Sequence, residues 1–263
     1  MTNIFSNKKS AEATVEQDFV GGGLLDSDIY AAKLKAAYQS NSASSKAVAI
    51  NFVFDVNGKE VNEQIWVTNG QGGITYKDKR SGEERNLPGF NQVNSLCMLL
   101  TGKSLGEQNV EDRVVKIYDF DAKKQIPKSV PCFVDLHDLD VDIAIQKHVI
   151  DKTEKNASTG TYEPTGETRE VNKVVKFFSG NRVTISEVAQ FIGDMGSDID
   201  SVKGNGELLR AVSKTPAGEF APKWLENNKG KVINKSKGAA GEGKSLATIG
   251  TAKTTKTASL FDE

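Results

Sequence analysis

An apolar hairpin pattern near the start of the chain constrains the fold more than any other sequence feature. Large apolar side chains occupy every second position over residues 48–56, and the alternation resumes over residues 61–67. Side chains that repeat every two residues share one face of a β-strand. Asn57-Gly58 joins the two runs, and these residues tolerate the positive φ that a two-residue hairpin turn requires. The pattern therefore predicts a β-hairpin with one face in a core.

Further runs with this two-residue period predict a mainly β fold. Additional strands are expected over residues 114–119, 130–136, 141–151 and 170–178. Two segments rich in glycine or in small polar residues lie between such runs. Residues 69–88 indicate a long exposed hairpin or loop, and residues 152–169 indicate a connection between two long strands.

Three segments have the apolar spacing of a helix. One covers residues 28–39. Another begins at Pro88 and ends at the stop signal Gly102. In the third, Thr184 and Glu187 have the spacing of a capping box, which predicts a helix start at this point.

Composition divides the chain into three parts. Residues 1–45 are expected to form a loose polar arm followed by the first short helix. Residues 46–228 are expected to form the folded domain, with residues 193–228 as an irregular segment that wraps the core. From residue 229 to residue 263 Lys, Gly, Ala, Ser and Thr dominate. Such a composition buries too little apolar surface to offset chain entropy, so it predicts a disordered tail.

Charge is distributed unevenly along the sequence. The formal net charge is −1, yet residues 229–263 carry seven lysines against three carboxylates, a net charge of +4. Residues 1–228 therefore carry a net charge of −5. Affinity for phosphate depends on a local positive surface rather than on the total charge. Any nucleic-acid site must then be a basic stripe on an acidic body.

Two further features concern the compartment. Cys97 and Cys132 are too few for a disulfide framework and lie in apolar segments, so we expect buried thiols in a reducing cytoplasm. The sequence has no apolar run of about 18 residues and no basic-then-apolar leader. Neither a membrane partner nor a signal peptide is expected.

Basic residues alternate with aromatic residues across the predicted strands and their connections. Single-stranded nucleic acid is held by this combination, because cations follow the phosphates while rings stack on unpaired bases. The alternative is that the rings belong to the core and the charges lie on solvated strand faces. The stacking candidates are Trp66, Tyr76, Tyr118, Phe120 and Tyr162. The phosphate candidates are Lys77, Lys79, Arg80, Lys123, Lys124, Lys147 and Lys173.

The last four residues differ from the rest of the tail. Leu260 and Phe261 are large and apolar, and Asp262 and Glu263 are acidic. The apolar pair can enter a pocket on another protein while the carboxylates meet basic residues around its rim. The alternative is an ordinary disordered terminus. The pattern favours a partner-binding tip at residues 260–263.

Together these features resemble the single-stranded DNA-binding proteins of bacteriophages. The resemblance covers about residues 46–180 and the tip that starts at Ser259. It implies an OB-fold core, a Greek-key barrel with extended hairpins, that coats single-stranded DNA without strong sequence preference. It also implies a role in phage DNA replication, recombination or repair in the cytoplasm of the infected bacterial host. The tip would recruit replication or recombination proteins.

Two other classes of function remain open at this point. The sheet edges and the tail could bind proteins instead of DNA, which would make the chain an interaction or assembly module, with self-association as one form. A nuclease would need clustered carboxylates for Mg²⁺, and residues 135–142 contain four aspartates. However, strand alternation sends neighbouring side chains to opposite faces. The cysteines and histidines lack close zinc-ligand spacing. We expect no enzymatic activity and no cofactor.

Overall fold

The computed structural model describes residues 23–119, 122–156, 158, 162–196 and 205–236, and within them the chain forms ten strands and four helices. The strands are β1 Asp28–Asn41, β2 Val48–Val56, β3 Lys59–Trp66, β4 Thr75–Lys77, β5 Glu84–Asn86, β6 Val110–Asp119, β7 Lys124–Phe133, β8 Leu139–Lys155, β9 Tyr162–Phe178 and β10 Val232–Asn234. The helices are α1 Pro88–Thr101, α2 Ile185–Asp194, α3 Asn205–Lys214 and α4 Phe220–Asn228. The predicted mainly β fold is confirmed.

The first predicted hairpin is β2–β3. Asn57 and Gly58 form its turn with φ of 53° and 81°, as a two-residue turn with positive φ requires. Phe52 and Phe54 of β2 point inward with Val61 of β3, while the residues between them face outward. The hairpin therefore supplies one wall of the core and one open outer face.

Five strands are arranged in the order of an OB-type barrel. β1 pairs antiparallel with β2 on one side and with β8 on the other, and β8 pairs with β9. The circuit closes between β9 and β3 through Glu63, whose carboxylate accepts a 2.8 Å hydrogen bond from the Val174 N–H. The resulting order β1-β2-β3-β9-β8, with α1 between β3 and β8, agrees with the expected OB-like topology. The β6–β7 hairpin is inserted between α1 and β8.

Aromatic rings and one helix fill the barrel. Phe52 and Phe54 stack with ring centroids 5.8 Å apart, and Phe177 of β9 lies 6.0 Å from each. α1 covers the opening between β3 and β9, where Gln92 donates to the Val174 carbonyl at 3.3 Å. The helices α2 and α3 pack on α1 and belong to the same hydrophobic cluster.

A second, smaller cluster lies on the outside of the barrel. Ile29, Ala144 and Phe178 are buried there beneath Ala221 of α4. β10 pairs parallel with β8 beside this cluster, at Val232 to Lys147. The C-terminal segment thus covers the outer side of β8 and of the first half of β1. It leaves the outer face of β2 and β3 open.

The predicted helix over residues 28–39 is wrong, because this segment is strand β1. The pairing of β1 with β2 shifts register between Leu34 and Ala36, and such a bulge adds one residue to the strand. The buried positions on either side, Leu34 and Ala37, are consequently three apart, which imitates helical spacing. The N-terminal part of the chain therefore contributes a central strand to the barrel rather than a helix.

Two expectations for the C-terminal part are also corrected. The segment expected to be irregular contains α3 and α4, each stabilised by packing of one apolar face. The tail expected to be disordered from residue 229 contributes β10, because Val232–Asn234 can pair with the exposed edge of β8. Residues 237–263 lie outside the described residues. In the part of the chain that is described, no helix is long and apolar enough to cross a membrane.

Candidate nucleic-acid interface

A groove runs between the open outer face of the barrel and the β6–β7 hairpin. Its larger part has a volume of about 770 Å³ and is bounded by β1–β3, by the hairpin, and by Arg169 and Lys173 of β9. A smaller part of about 480 Å³ continues towards the end of β1. The two parts share Tyr38, Asn51 and Gln64, so they form one continuous surface. We call this surface the groove.

Side-chain amides form the floor of the groove. The Asn51 side-chain amide donates to the Ser40 hydroxyl at 2.7 Å, and the Gln64 side-chain amide donates to the Asn51 side-chain oxygen, Oδ1, at 3.0 Å. These bonds hold the three side chains in fixed orientations. A floor with fixed polar groups can accept a flexible polar ligand without first having to order itself.

Tyr38 lies at the point where the two parts of the groove meet. It is half-buried, and burial raises the pKa of its hydroxyl, with further contributions from the nearby Cys132 thiol and the Glu60 carboxylate. The raised pKa keeps the hydroxyl protonated at physiological pH. Sequence reasoning missed Tyr38 because the segment that carries it was assigned to a helix. The alternation of side chains along β1 indicates the outward position of Tyr38 only if the bulge between Leu34 and Ala36 is already known.

Some of the basic side chains at the groove form ion pairs within the protein and others do not. Lys173 pairs with Glu63 at 3.0 Å, and Lys128 pairs with Asp119 at 3.1 Å. Among the described residues, Lys116 and Arg169 form no ion pair, and both are exposed. These two side chains are the ones most readily available to phosphates.

Four of the five stacking candidates are exposed. The exposed fractions of Trp66, Tyr76, Tyr118 and Tyr162 range from 39% to 67%. The alternative assignment of these rings to the core is therefore wrong for these four. Phe120 lies outside the described residues.

The structure places several candidates at or beside the groove. Tyr118 and Lys173 line it, and Trp66 lies two residues beyond Gln64 on the same face of β3. Lys123 and Lys124 are exposed at the tip of the β6–β7 hairpin. These residues come from separate parts of the sequence and meet through the barrel order.

A second set of predicted DNA-binding residues lies on the β4–β5 hairpin, which forms its own two-stranded sheet. The segment before it is fixed to the β1–β2 loop by a 3.1 Å bond from the Lys46 N–H to the Gly70 carbonyl. This attachment places the hairpin at the barrel end where Trp66 is located. In the described structure none of its three basic candidates forms an ion pair. The candidates on this hairpin are Tyr76, Lys77, Lys79 and Arg80.

Two candidates are not brought to the groove. Lys147 is largely enclosed by an ion pair with Asp26 at 3.1 Å and lies next to β10. Tyr162 is at the tip of the β8–β9 arm, opposite Lys155. The positions of Lys147 and Tyr162 in the sequence do not indicate that both side chains lie away from the groove.

The acidic patch of residues 135–142 does not form a cluster. Each aspartate pairs with a different cation, and in the described residues no group of three His, Cys, Asp or Glu could hold a metal ion. The pairs are Asp135 with Lys103, Asp138 with Lys35, Asp140 with Lys33, and Asp142 with Arg182.

Both cysteines are buried, as expected. Burial raises the pKa of the Cys97 thiol to about 12 and also raises that of Cys132. A protonated, enclosed thiol is a poor nucleophile. The tip residues Leu260, Phe261, Asp262 and Glu263 lie outside the described residues.

No protein-family model matches this chain, and no curated protein matches it.

Proposed function

We propose that the protein binds single-stranded DNA in the groove and acts as a coating protein without enzymatic activity. The observation that carries the proposal is the groove itself, an uncovered barrel face with exposed rings beside it and free cations at its edge. The face formed by the second and third strands of an OB-type barrel is a general platform for oligonucleotides. The proposal therefore rests on fold topology and on the character of the surface together.

The mechanism follows from the arrangement of the groove. Unpaired bases stack on Trp66, Tyr38 and Tyr118, and each stacked base contributes about 1–3 kcal/mol. Arg169 and Lys116 meet phosphates at the edge. Every base has a flat face, so stacking gives little sequence preference. A duplex has its bases stacked on one another and offers none of these contacts along its length.

The biological setting is proposed from the resemblance to phage proteins. The protein would coat single strands during phage DNA replication, recombination or repair in the cytoplasm of the infected bacterium. The tip Leu260–Glu263 would recruit replication or recombination proteins. An immobilised peptide of residues 256–263 that captures a purified replication protein, while a peptide with Phe261→Ala does not, would support this role.

The first test is a titration with fluorescent oligo-dT and with a matched duplex, at low and at moderate salt and without Mg²⁺. We expect tight binding that prefers the single strand and weakens with salt, because neutralised phosphates release counterions. If no binding occurs at low salt, the coating function is wrong. The alternative, that the chain binds another protein instead of DNA, would then be tested.

Variants at the groove locate the site. Trp66→Ala should weaken binding by about 5- to 150-fold, the equivalent of about 1–3 kcal/mol for one stacked base. Arg169→Ala should reduce the slope of log affinity against log salt by about 0.7, the value for one phosphate of a single strand.

Matched controls lie away from the groove. Tyr162→Ala removes a ring at the tip of the β8–β9 arm, and Lys223→Ala removes a cation that pairs with Glu219 on α4. Both should bind like the wild type. If the controls lose as much affinity as the groove variants, the groove is not the binding surface.

A further inference from the structure

The outer edge of β6 is a second surface beside the groove, and two residues of this strand, Lys116 and Tyr118, also line the groove. Among the described residues β6 pairs only with β7, over Val110–Asp119. One side of this ten-residue strand therefore carries backbone groups that no described strand pairs. An open edge of this length is a template for another strand.

Two prolines show which backbone groups face the open edge. Pro127 and Pro131 of β7 lie opposite Lys116 and Asp112 of β6. Proline has no N–H, which places both pairs at the non-hydrogen-bonded positions of the antiparallel ladder. Residues at these positions direct their N–H and C=O groups away from each other. Asp112, Lys116 and the intervening Val114 therefore direct their backbone donors and acceptors to the open edge.

The same alternate residues have exposed side chains. Val114 is 71% exposed, whereas the neighbouring Val115 and Ile117 are half-buried. Val110 and Tyr118, at the two ends of the series, are exposed as well. Together with the open edge, these exposed apolar side chains favour pairing with another strand.

We propose that two copies of this chain pair through β6, antiparallel and around a two-fold axis at Val114. In this register Asp112 of each copy lies opposite Lys116 of the other, and Val110 of each lies opposite Tyr118 of the other. Directly opposed charges of opposite sign and apolar pairs stabilise antiparallel strands. The contact uses the same surface on both copies, so it closes as a dimer.

The other registers that keep the outward backbone groups facing each other are less favourable. An axis at Asp112 would place two aspartates opposite each other, and an axis at Lys116 would place two lysines opposite each other. Like charges at directly opposed positions are destabilising. With an axis at residue 113 or 115, Asp112 of one copy does not lie opposite Lys116 of the other, so the attractive charge pair is lost. Charge complementarity thus selects the axis at Val114 and a second copy as the occupant.

Charge reversal tests the register. Asp112→Lys or Lys116→Asp alone should weaken the dimer about tenfold, because two attractive pairs become repulsive. The double variant D112K/K116D should restore it. An equimolar mixture of the two single variants should also restore it, because both cross-strand pairs are then attractive. Sedimentation velocity of the full chain without DNA measures each case, and Glu226→Lys on α4 is the matched charge-reversal control.

A backbone variant tests the edge independently of charge. Val114→Pro removes an N–H that faces the open edge and leaves the bonds to β7 intact, so it should give a monomer. Val114→Ala keeps this N–H and should retain most of the dimer. Circular dichroism and thermal unfolding check that both variants are folded.

The outcomes separate this proposal from DNA binding. Lys116 lines the groove, so its variants report on the dimer only; Val114 does not line the groove, so V114P should still bind oligo-dT. A wild-type chain that sediments as a monomer at its highest soluble concentration would overturn the dimer, whatever its affinity for DNA. A dimer that none of the β6 variants weakens would show that another surface makes it, and would equally overturn the proposal.

Discussion

Glu63 is a charged residue in the interior, and its position explains how the barrel closes. Only 7% of this residue is exposed, yet its carboxylate has two partners from β9, the Val174 N–H at 2.8 Å and the Lys173 ammonium at 3.0 Å. A buried charge is tolerated when it is paired and hydrogen-bonded. One side chain thus takes the place of a backbone ladder between β3 and β9.

Replacement of Glu63 should therefore affect stability more than a surface charge would. Glu63→Ala leaves the Val174 N–H without its acceptor and should lower the free energy of unfolding by about 1–3 kcal/mol. Glu63→Gln keeps an oxygen for that N–H and should cost less. Urea unfolding measures both, and the exposed Glu226→Ala serves as control. An alanine variant as stable as the wild type would show that the closure depends on other contacts.

Individual site residues could be predicted from the sequence only where local alternation determines them. Trp66 lies between the core residues Ile65 and Val67, so strand alternation indicates that it points outward. The location of Tyr38 depends instead on the β6–β7 hairpin, which is distant in sequence and approaches only in the folded chain. Lys147 was predicted to contact phosphate, but in the folded chain it pairs with Asp26, which is distant in sequence. Long-range partners, which a pattern does not contain, account for these differences.

At the scale of elements, a glycine sets the distance between α1 and β3. A β-carbon at Gly89 would overlap the Trp66 carbonyl oxygen and crowd the Ile65 side chain. The first turn of α1 can therefore approach the end of β3 directly, and this approach holds Trp66 at the edge of the open face.

Gly89→Ala should destabilise the fold. The added methyl group must push α1 away from β3, and overpacking of this kind costs about 1–3 kcal/mol. Under the proposed function it should also weaken DNA binding, because Trp66 moves with the strand. Gly106→Ala is the matched control, since a β-carbon there meets no atom within 4 Å. Thermal unfolding of the two variants compares them, and equal melting temperatures would contradict the close approach.

Element types were predictable from the sequence where periodicity and local signals agreed. The Asn57-Gly58 hairpin, α1 with Gly102 in the left-handed conformation, and the Thr184–Glu187 capping box are all found as predicted. β1 was assigned to the wrong type because its bulge disturbs the alternation and its alanines carry a weak strand signal. Its pairing with both β2 and β8 decides its conformation, and pairing is a tertiary effect.

At the scale of the whole molecule, one carboxylate joins the two hydrophobic clusters. Glu187 caps α2, which packs in the main core, and accepts a 2.9 Å bond from the Phe220 N–H of α4, which covers the outer cluster. Burial alone would raise the pKa of Glu187. Bonds from the Thr184 and Phe220 N–H groups outweigh burial, so the pKa is lowered.

This lowered pKa predicts a defined dependence of stability on pH. A carboxyl whose pKa is lower in the folded state stabilises the fold above its unfolded pKa, and the contribution is lost as pH falls through the folded pKa. Wild type should therefore be more stable than Glu187→Gln at neutral pH, and the difference should shrink as the pH falls through the lowered folded pKa, below the ordinary range of a glutamate. Urea unfolding at several pH values measures the difference. A gap that stays constant with pH would contradict the role of the ionised carboxylate.

The enclosed thiols have a practical consequence for work on the whole molecule. Cys97 and Cys132 are the only cysteines in the sequence, and both are fully covered in the fold. A cysteine introduced at the exposed Ser44 would therefore be the one thiol that a maleimide dye reaches while the protein stays folded. A fluorophore can thus be attached to the β1–β2 loop with both native cysteines left in place, and single molecules can then be tested for the proposed binding to a single strand.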